Sequence, residues 1–203
     1  MKAWFSLVAA MLLSACAVSP QSQQTTAAVN WADDVDFDAM RVVYGWADNY
    51  KQRCSDNRPL AEIYQAADVD DWAKLAEIGQ QWLQQCPIDI RIHYMTSMAL
   101  EQLDEQAASD DHYRWFDGLM QSLVSSGDGA TPQTAYVTVS VQEEYDAMYF
   151  FQVRPTAQRL INDPLCDEIH VVDSNGEQAV LYFTPSAHFY RLRQAKNANK
   201  SGG

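Results

Sequence analysis

Three acidic side chains stand out as residues that could do chemistry. Asp128 lies in the Gly-rich run 126–129, and Glu143 and Glu144 follow a strand-like segment. Paired carboxylates act as general acid and base in glycosidases when they project from facing elements at a set separation. Adjacent residues point apart, so a hydrolytic site would need Asp128 beside one of the glutamates. The competing interpretation is a helix-ending turn at Asp128 and a helix start that favours acids at Glu143 and Glu144.

His170 is a further ligand-binding candidate. It alternates with Cys166 and Glu168 on a predicted strand, which places the three side chains on one face. Cys166 and His170 would be about 13 Å apart, too far for a nucleophile and its base. The other histidines are His93, His112 and His188. No two of the four share a metal-ligand spacing, and a Gly-x-Ser-x-Gly elbow is missing. We expect no metal and no cofactor.

The elements that must position these residues change type along the chain. Apolar residues recur at helical spacing in five segments between Phe37 and Leu123. Asp36, Asp70 and Ser109 or Asp110 would cap three of these helices. Helices separated by short breaks pack as antiparallel hairpins. The last three faintly resemble tetratricopeptide units, but the period of about 34 residues is not met.

The second half shows strand character. Segment 135–141 is rich in Val, Thr and Tyr, 143–151 is predicted to be a short helix, and 168–173 and 178–184 flank an Asn-Gly pair. That pair predicts a β-hairpin. The expected fold is therefore α+β, with N-terminal antiparallel helical hairpins packed on a small C-terminal antiparallel sheet.

The Asn175-Gly176 pair also predicts a register. A two-residue type I′ loop sets Val171 opposite Val180 and Ile169 opposite Tyr182. Because opposed residues share a face, these four apolar side chains would form the core side. His170 would lie beside Leu181 on the other face.

The cysteines predict a covalent link within the fold. Cys54 and Cys86 each lie at the end of a predicted helix, and we expect them to form a disulfide. Buried free thiols are the alternative. Cys166 is then left unpaired.

The N-terminus has the order of an export signal. Lys2 precedes an apolar run that ends in small residues before Cys16, and the run is shorter than the roughly 20 residues that span a bilayer. Segment 13–16 resembles the lipobox of bacterial lipoproteins, which implies acylation of Cys16. Ala17, in place of Asp, implies the outer membrane facing the periplasm. The alternative is an ordinary secretory signal with a chance cysteine.

Composition limits the partners. Lys2 is the only charged residue in the predicted signal 1–15, so cleavage takes the net charge from −13 to about −14. Such a domain is repelled by nucleic acid and by anionic membrane surfaces. The predicted layout is a flexible tether at 16–32, a single domain at 33–193 and a disordered tail at 194–203. The membrane partner is expected through the lipid anchor.

Several short motifs resemble domain-of-unknown-function family 4919, a group of exported bacterial proteins of about this length. They are the run 126–129, Ala135-Tyr136-Val137, Glu143-Glu144-Tyr145, Cys86-Pro87, His93 and Tyr182-Phe183. The resemblance covers about 37–183. It implies one compact α+β domain and brings no activity, substrate or cofactor.

Two functions follow as expectations. The first is a lipid-anchored envelope protein whose helical half presents a surface to a periplasmic protein or peptide. The second is a periplasmic hydrolase that uses Asp128, Glu143 or Glu144. Whether the chain is an enzyme stays open at this point.

Overall fold

The computed structural model describes residues 29–31 and 34–201. The predicted signal 1–15, Cys16 and most of the tether 16–32 lie outside these residues. The described chain has the expected α+β organisation, with most helices before the sheet. The helices are α1 (Phe37–Gly45), α2 (Tyr50–Cys54), α3 (Leu60–Ala67), α4 (Trp72–Gln85), α5 (Ile90–Gln102), α6 (Gln106–Val124), α7 (Val141–Phe150) and α8 (Ser186–Ser201). The strands are β1 (Tyr136–Val137), β2 (Val153–Asn162), β3 (Leu165–Asp173) and β4 (Gln178–Thr184).

Short polar side chains start several helices. The Asp36 carboxylate accepts from the Ala39 N–H at the start of α1, which confirms the predicted cap. The predicted cap Asp70 is wrong by one residue. Asp71 caps α4, and Asp70 takes a left-handed φ of 57° that Asp tolerates better than most residues. The last predicted helix also begins earlier than expected, at Gln106.

Consecutive helices pack directly on one another from α3 to α6. Their shared core holds fully buried aliphatic side chains, namely Ile63, Leu75, Leu83, Ile92, Leu100 and Leu119. Helix α1 lies against α6, where a Cβ on Gly118 would collide with the ring of Phe37. The absence of a side chain at Gly118 therefore allows α1 to approach α6 closely.

The disulfide prediction is confirmed. Cys54 at the end of α2 is bonded to Cys86 just after α4, with a Cα–Cα distance of 5.0 Å. The bond joins residues 32 positions apart and limits the unfolded chain, which contributes about 4 kcal/mol in loop-entropy models. Cys166 is free and buried.

The sheet has the strand order β1-β4-β3-β2. Strands β2, β3 and β4 are antiparallel, as expected, but β1 pairs with β4 in parallel, so the sheet is mixed. The edge strand β2 was not predicted from the sequence. It has little alternation of burial because most of its residues are exposed.

The predicted hairpin register is wrong by one residue. Val171 pairs with Ala179, and His170 pairs with Val180. The turn contains three residues, with the Asp173 carboxylate accepting from the backbone N–H groups of Asn175 and Glu177. Gly176 has a φ of 84°, whereas Asn175 is not among the described residues with positive φ. This is the three-residue loop with glycine in the left-handed region, so the two-residue type I′ turn does not form.

The shift moves every β4 side chain to the face opposite to the expected one. Phe183 is fully buried on the core side with Ile169 and Val171. Tyr182 and Val180, which we expected in the core, share the outer face with His170. The core assignments of Ile169 and Val171 are confirmed.

The C-terminal segment is helical beyond residue 194. Helix α8 continues to Ser201, where the sequence favoured a disordered tail at 194–203. Its Ala, Arg, Lys and Gln residues are strong helix formers, and glycine comes only at positions 202 and 203. None of the helices in the described ranges is long and apolar enough to cross a membrane.

Candidate functional site

Asp128 occupies an exposed turn after α6. Its carboxylate accepts from the Ala130 N–H at 2.9 Å, and Gly129 takes a φ of 64°. The hydrogen bond with the Thr134 side chain, followed by that from Ala130, lowers the Asp128 pKa. These contacts hold the turn, as in the structural interpretation of the run 126–129.

Glu143 and Glu144 point to different partners from the first turn of α7. Glu143 accepts two hydrogen bonds from the buried Arg41 guanidinium, at 3.0 and 3.1 Å. It also accepts from the Val139 N–H at 2.6 Å. The described contacts of Asp128 and Glu143 do not join the two carboxylates, so the geometry does not assemble the pair that hydrolysis would require.

Glu144 is buried in a different environment. The Thr138 hydroxyl lies 3.5 Å from one carboxyl oxygen, and the other oxygen has no hydrogen-bond partner among the described residues. Burial, followed by the charge of Asp167, raises the pKa of Glu144 to about 9. Glu144 is therefore a protonated core residue at neutral pH.

His170 belongs to a cluster on the outer face of the sheet. Its Nε2 lies 3.1 Å from the Glu168 carboxylate, which confirms that the two share a face. Glu168 also accepts from the Arg159 guanidinium and from the Tyr182 hydroxyl. Arg159 is the largest cause of the fall in the Glu168 pKa to about 2. The carboxylate thus binds three neighbours across adjacent strands and is not poised to take up a proton near neutral pH.

Two histidines meet although their spacing gave no indication of it. The Nδ1 atoms of His93 and His112 are 3.1 Å apart, and His93 Nε2 donates to the Pro87 carbonyl at 2.9 Å. His93 Nδ1 must therefore accept from His112 while both rings are neutral. The rings of Trp31 and Trp115 pack around them. Within residues 29–31 and 34–201, no group of three or more His, Cys, Asp or Glu residues could hold a metal ion.

A buried ionic cluster also has no signature in the sequence. Arg58 donates to Asp89 and to Asp146, and Arg91 lies 2.8 Å from Asp146. Asp89 accepts in addition from the Trp82 indole N–H. The cluster joins the α2–α3 loop, the start of α5 and α7, and its members are too far apart in sequence for any local signal.

A cleft of about 710 Å³ lies between α2, α7 and α8. Its wall includes Tyr50, Lys51, Ser140, His188 and Arg191. The predicted site residues Asp128, Glu143, Glu144 and His170 do not line it. The cleft therefore does not gather the candidate acids and histidine in one concave site.

An aromatic face crosses three helices. It consists of Tyr94 and Met98 from α5, Tyr113 and Phe116 from α6, and Tyr149 and Phe150 from α7. The Phe116 ring centroid is 5.1 Å from Tyr94 and 4.7 Å from Phe150. Tyr113 extends the ring series at one end and Tyr149 at the other. These two tyrosines remain 53% and 45% exposed. The inner rings of the series therefore pack against the core, whereas the outer two are open to solvent.

Acidic side chains border this face on α5 and α6, whereas at its α7 end the Arg91 guanidinium lies 4.0 Å from the Tyr149 ring centroid. Asp110 and Asp117 lie three residues before and four after Tyr113, which places them beside it on α6. Glu101 lies three residues after Met98 on α5. All three acids are exposed. The arrangement can accept an apolar side chain against the rings and a cation at the rim.

The comparisons with known proteins agree with the family resemblance. The family model described as Domain of unknown function (DUF4919) matches residues 33–192. Comparison with curated proteins and with solved structures found no match. The match covers the helical half, the sheet and the first part of α8. The chain therefore belongs to the DUF4919 family.

Proposed function

We propose that this chain is a lipid-anchored envelope protein whose aromatic face binds an apolar, basic segment of a periplasmic protein. The observation that carries the proposal is the continuous series of ring contacts from Tyr113 through Phe116 and Phe150 to Tyr149. The interior of a soluble domain usually buries such rings. Here the outer members are open to solvent.

The side chains are of the types that dominate binding energies. Tyr, Phe and Met are enriched at protein interfaces, and Tyr is a frequent hot spot. Rings held by their neighbours lose little side-chain entropy on binding. Met98 adds a flexible thioether that adapts to the shape of a partner. The aromatic face thus offers pre-organised contact area with one adaptable element.

Charge determines the chemistry of the partner. The acids Glu101, Asp110 and Asp117 border the rings on α5 and α6, and the whole chain carries a net charge of −13. Complementary charge speeds association and selects among partners. A segment with Lys or Arg beside Phe, Leu or Trp would satisfy both the rings and the rim.

The location rests on the N-terminal motif. Segment 13–16 resembles a lipobox, and acylation of Cys16 would attach the domain to a membrane. Stable anchoring needs more than one acyl chain. The lipoprotein resemblance implies that Cys16 carries more than one. Ala17 favours the outer membrane, with the domain in the periplasm.

The carboxylates expected to serve a hydrolase have separate environments in the fold. Glu143 is bound to Arg41, Asp128 holds its own turn, and Glu144 is a buried acid with a raised pKa. A general acid and base need an accessible pair in one site.

Peptide selection tests the binding surface. A displayed library of random peptides is selected against the mature wild-type chain and against the Tyr113→Ser/Tyr149→Ser double variant. We expect the wild type to enrich peptides that combine basic and apolar residues, and the double variant to lose this enrichment. Val69→Ser is the matched control because Val69 is also highly exposed but lies between α3 and α4. Equal enrichment by the wild type and the double variant would refute the proposal.

Metabolic labelling tests the anchor independently. Cells expressing the chain are supplied with radiolabelled palmitate, and the immunopurified protein is counted. We expect label on the wild type and on Cys166→Ala, and none on Cys16→Ala. Label that persists on Cys16→Ala would place the acyl chain elsewhere and contradict the lipobox assignment.

A further inference from the structure

We infer that a second surface, formed by α1 and α8, lies against the membrane that holds the lipid anchor. This α1–α8 patch consists of Val42, Val43, Trp46 and Tyr190. The inference rests on the anchoring proposed above and adds an orientation to it. Its occupant is the lipid headgroup region, not a protein.

The patch has the composition of an interfacial surface. Val42 and Val43 of α1 lie on the same side as Trp46, the C-cap residue of that helix, because residues three and four apart are helix neighbours. They are 58%, 65% and 43% exposed. The Trp46 ring lies 5.3 Å from the ring of Tyr190. Trp and Tyr prefer the membrane–water interface, where the ring is buried and its polar atom stays wet.

Basic residues border the patch on α8. No acidic residue follows Glu177 in the sequence, whereas α8 carries Arg191, Arg193 and Lys196. Arg191 donates to the carbonyls of Gly45 and Val139, which holds α8 against the end of α1. Arg193 and Lys196 are exposed and free to approach anionic headgroups.

The lipid anchor outweighs the repulsion between the acidic chain and an anionic membrane surface. A net charge of −13 repels the domain from an anionic surface at a distance. The lipid anchor, however, already holds the domain there, so the patch only has to orient it. Of the acids at the start of α1, Asp36 caps the helix and Asp38 accepts from the Ser122 hydroxyl. The charge asymmetry then favours α8 as the side nearer to the headgroups.

The position of the anchor along the chain fits this orientation. Cys16 precedes Val29, where the described domain begins, by 13 positions. A chain of that length reaches at most about 45 Å. Helix α1 is the first helix that the chain enters after the anchor. The patch therefore lies within reach of the surface that holds the acyl chains.

The same orientation turns the aromatic face away from the membrane. On α6, Ser122 donates to Asp38 and accepts from Arg41, both of α1. Ser122 lies nine residues after Tyr113, which is about 180° around an α-helix. The α1 side and the aromatic face are thus on opposite sides of α6. A domain that rests on α1 and α8 presents Tyr113 to the periplasm.

Fluorescence on the lipidated chain tests the contact. Val43→Cys and, as the matched control, Tyr113→Cys are labelled with a polarity-sensitive fluorophore. The lipidated proteins are incorporated into vesicles of phosphatidylethanolamine and phosphatidylglycerol that contain nitroxide-labelled lipid. We expect a blue shift and loss of most emission at position 43, and little change at position 113. Adding Arg193→Glu and Lys196→Glu to Val43→Cys should restore much of the emission.

Each other outcome would contradict one specific part of the inference: the orientation, the lipid contact or the anchor. Equal quenching at positions 43 and 113 refutes the orientation. A blue shift at position 43 without nitroxide quenching means that a second copy covers the patch, and the lipid assignment fails. A chain that does not float with the vesicles refutes the anchor itself, which separates that failure from failure of the patch. The chain without an added cysteine measures background labelling by the fluorophore. We expect this background to be low because Cys166 is buried.

Discussion

The guanidinium of Arg58 lies 2.6 Å from the carboxylate of Asp146, a residue 88 positions further along the chain. The same guanidinium donates to both carboxylate oxygens of Asp89. All three side chains are almost wholly buried. This contact ties the helical half to α7, the helix that leads into the sheet.

Arg58→Met should strongly destabilise the domain. It leaves Asp89 and Asp146 buried with less compensating charge, and breaking a buried ion pair costs about 3–5 kcal/mol. Urea unfolding measures the loss. Lys74→Met is the matched control because the pair of Lys74 with Glu77 is exposed, and we expect little change there. A similar loss in the two variants would contradict the role of the buried cluster.

Glu144 should make stability fall as pH rises. Its pKa in the folded state is about 9, above its ordinary value of 4.5, so the unfolded chain releases this proton first. The free energy of unfolding then decreases between pH 4.5 and 9, by up to about 1.4 kcal/mol per pH unit. Glu144→Gln should remove this dependence and be more stable than the wild type at pH 8.

Urea unfolding between pH 7 and pH 9 isolates the effect of Glu144. The altered pKa values of His93, His112 and Asp146 lie below this range. Glu62→Gln, at an exposed position on α3, serves as control and should follow the wild type. Parallel pH profiles for the wild type and Glu144→Gln would show that Glu144 is ionised in the folded protein.

The His93 and His112 pair should stay neutral in mild acid. Burial is the main cause that lowers their pKa values, to about 3 for His93 and about 4 for His112. The stabilisation from the neutral pair is complete above the unfolded pKa of 6.5 and is lost as pH falls below it. The imidazole C–H resonances of His93 and His112 should not titrate between pH 8 and pH 5 in the native protein. In urea the same resonances should titrate near pH 6.5, and a native midpoint there would contradict the burial.

The hairpin register predicts unequal effects for adjacent residues. Phe183 is fully buried, and Phe183→Ala should cost about 3–5 kcal/mol of unfolding free energy. Tyr182 lies on the outer face, where its hydroxyl donates to Glu168, so Tyr182→Ala should cost less. Thermal and urea unfolding compare the two variants. The opposite order would support the two-residue turn and return Tyr182 to the core.

Local patterns in the sequence determined the elements and one covalent link. The helical apolar spacing, the Asp36 cap and the strand-like segments each depend on neighbours within a few residues, so their physics is readable from the chain. The Cys54–Cys86 disulfide could also be inferred, because both cysteines lie at helix ends. Family membership followed from short motifs in the same way.

The tertiary structure decided the register and the meeting of distant residues. The Asn-Gly pair was compatible with two turns, and the bonds that Asp173 accepts favour the longer one. His93 and His112, or Arg58 and Asp146, meet because helices pack, and no local pattern encodes that distance. The aromatic face likewise exists only where α5, α6 and α7 bring Tyr94, Phe116 and Phe150 together. A side chain's partner depends on packing between elements, whereas the type of an element depends on residues close by in the sequence.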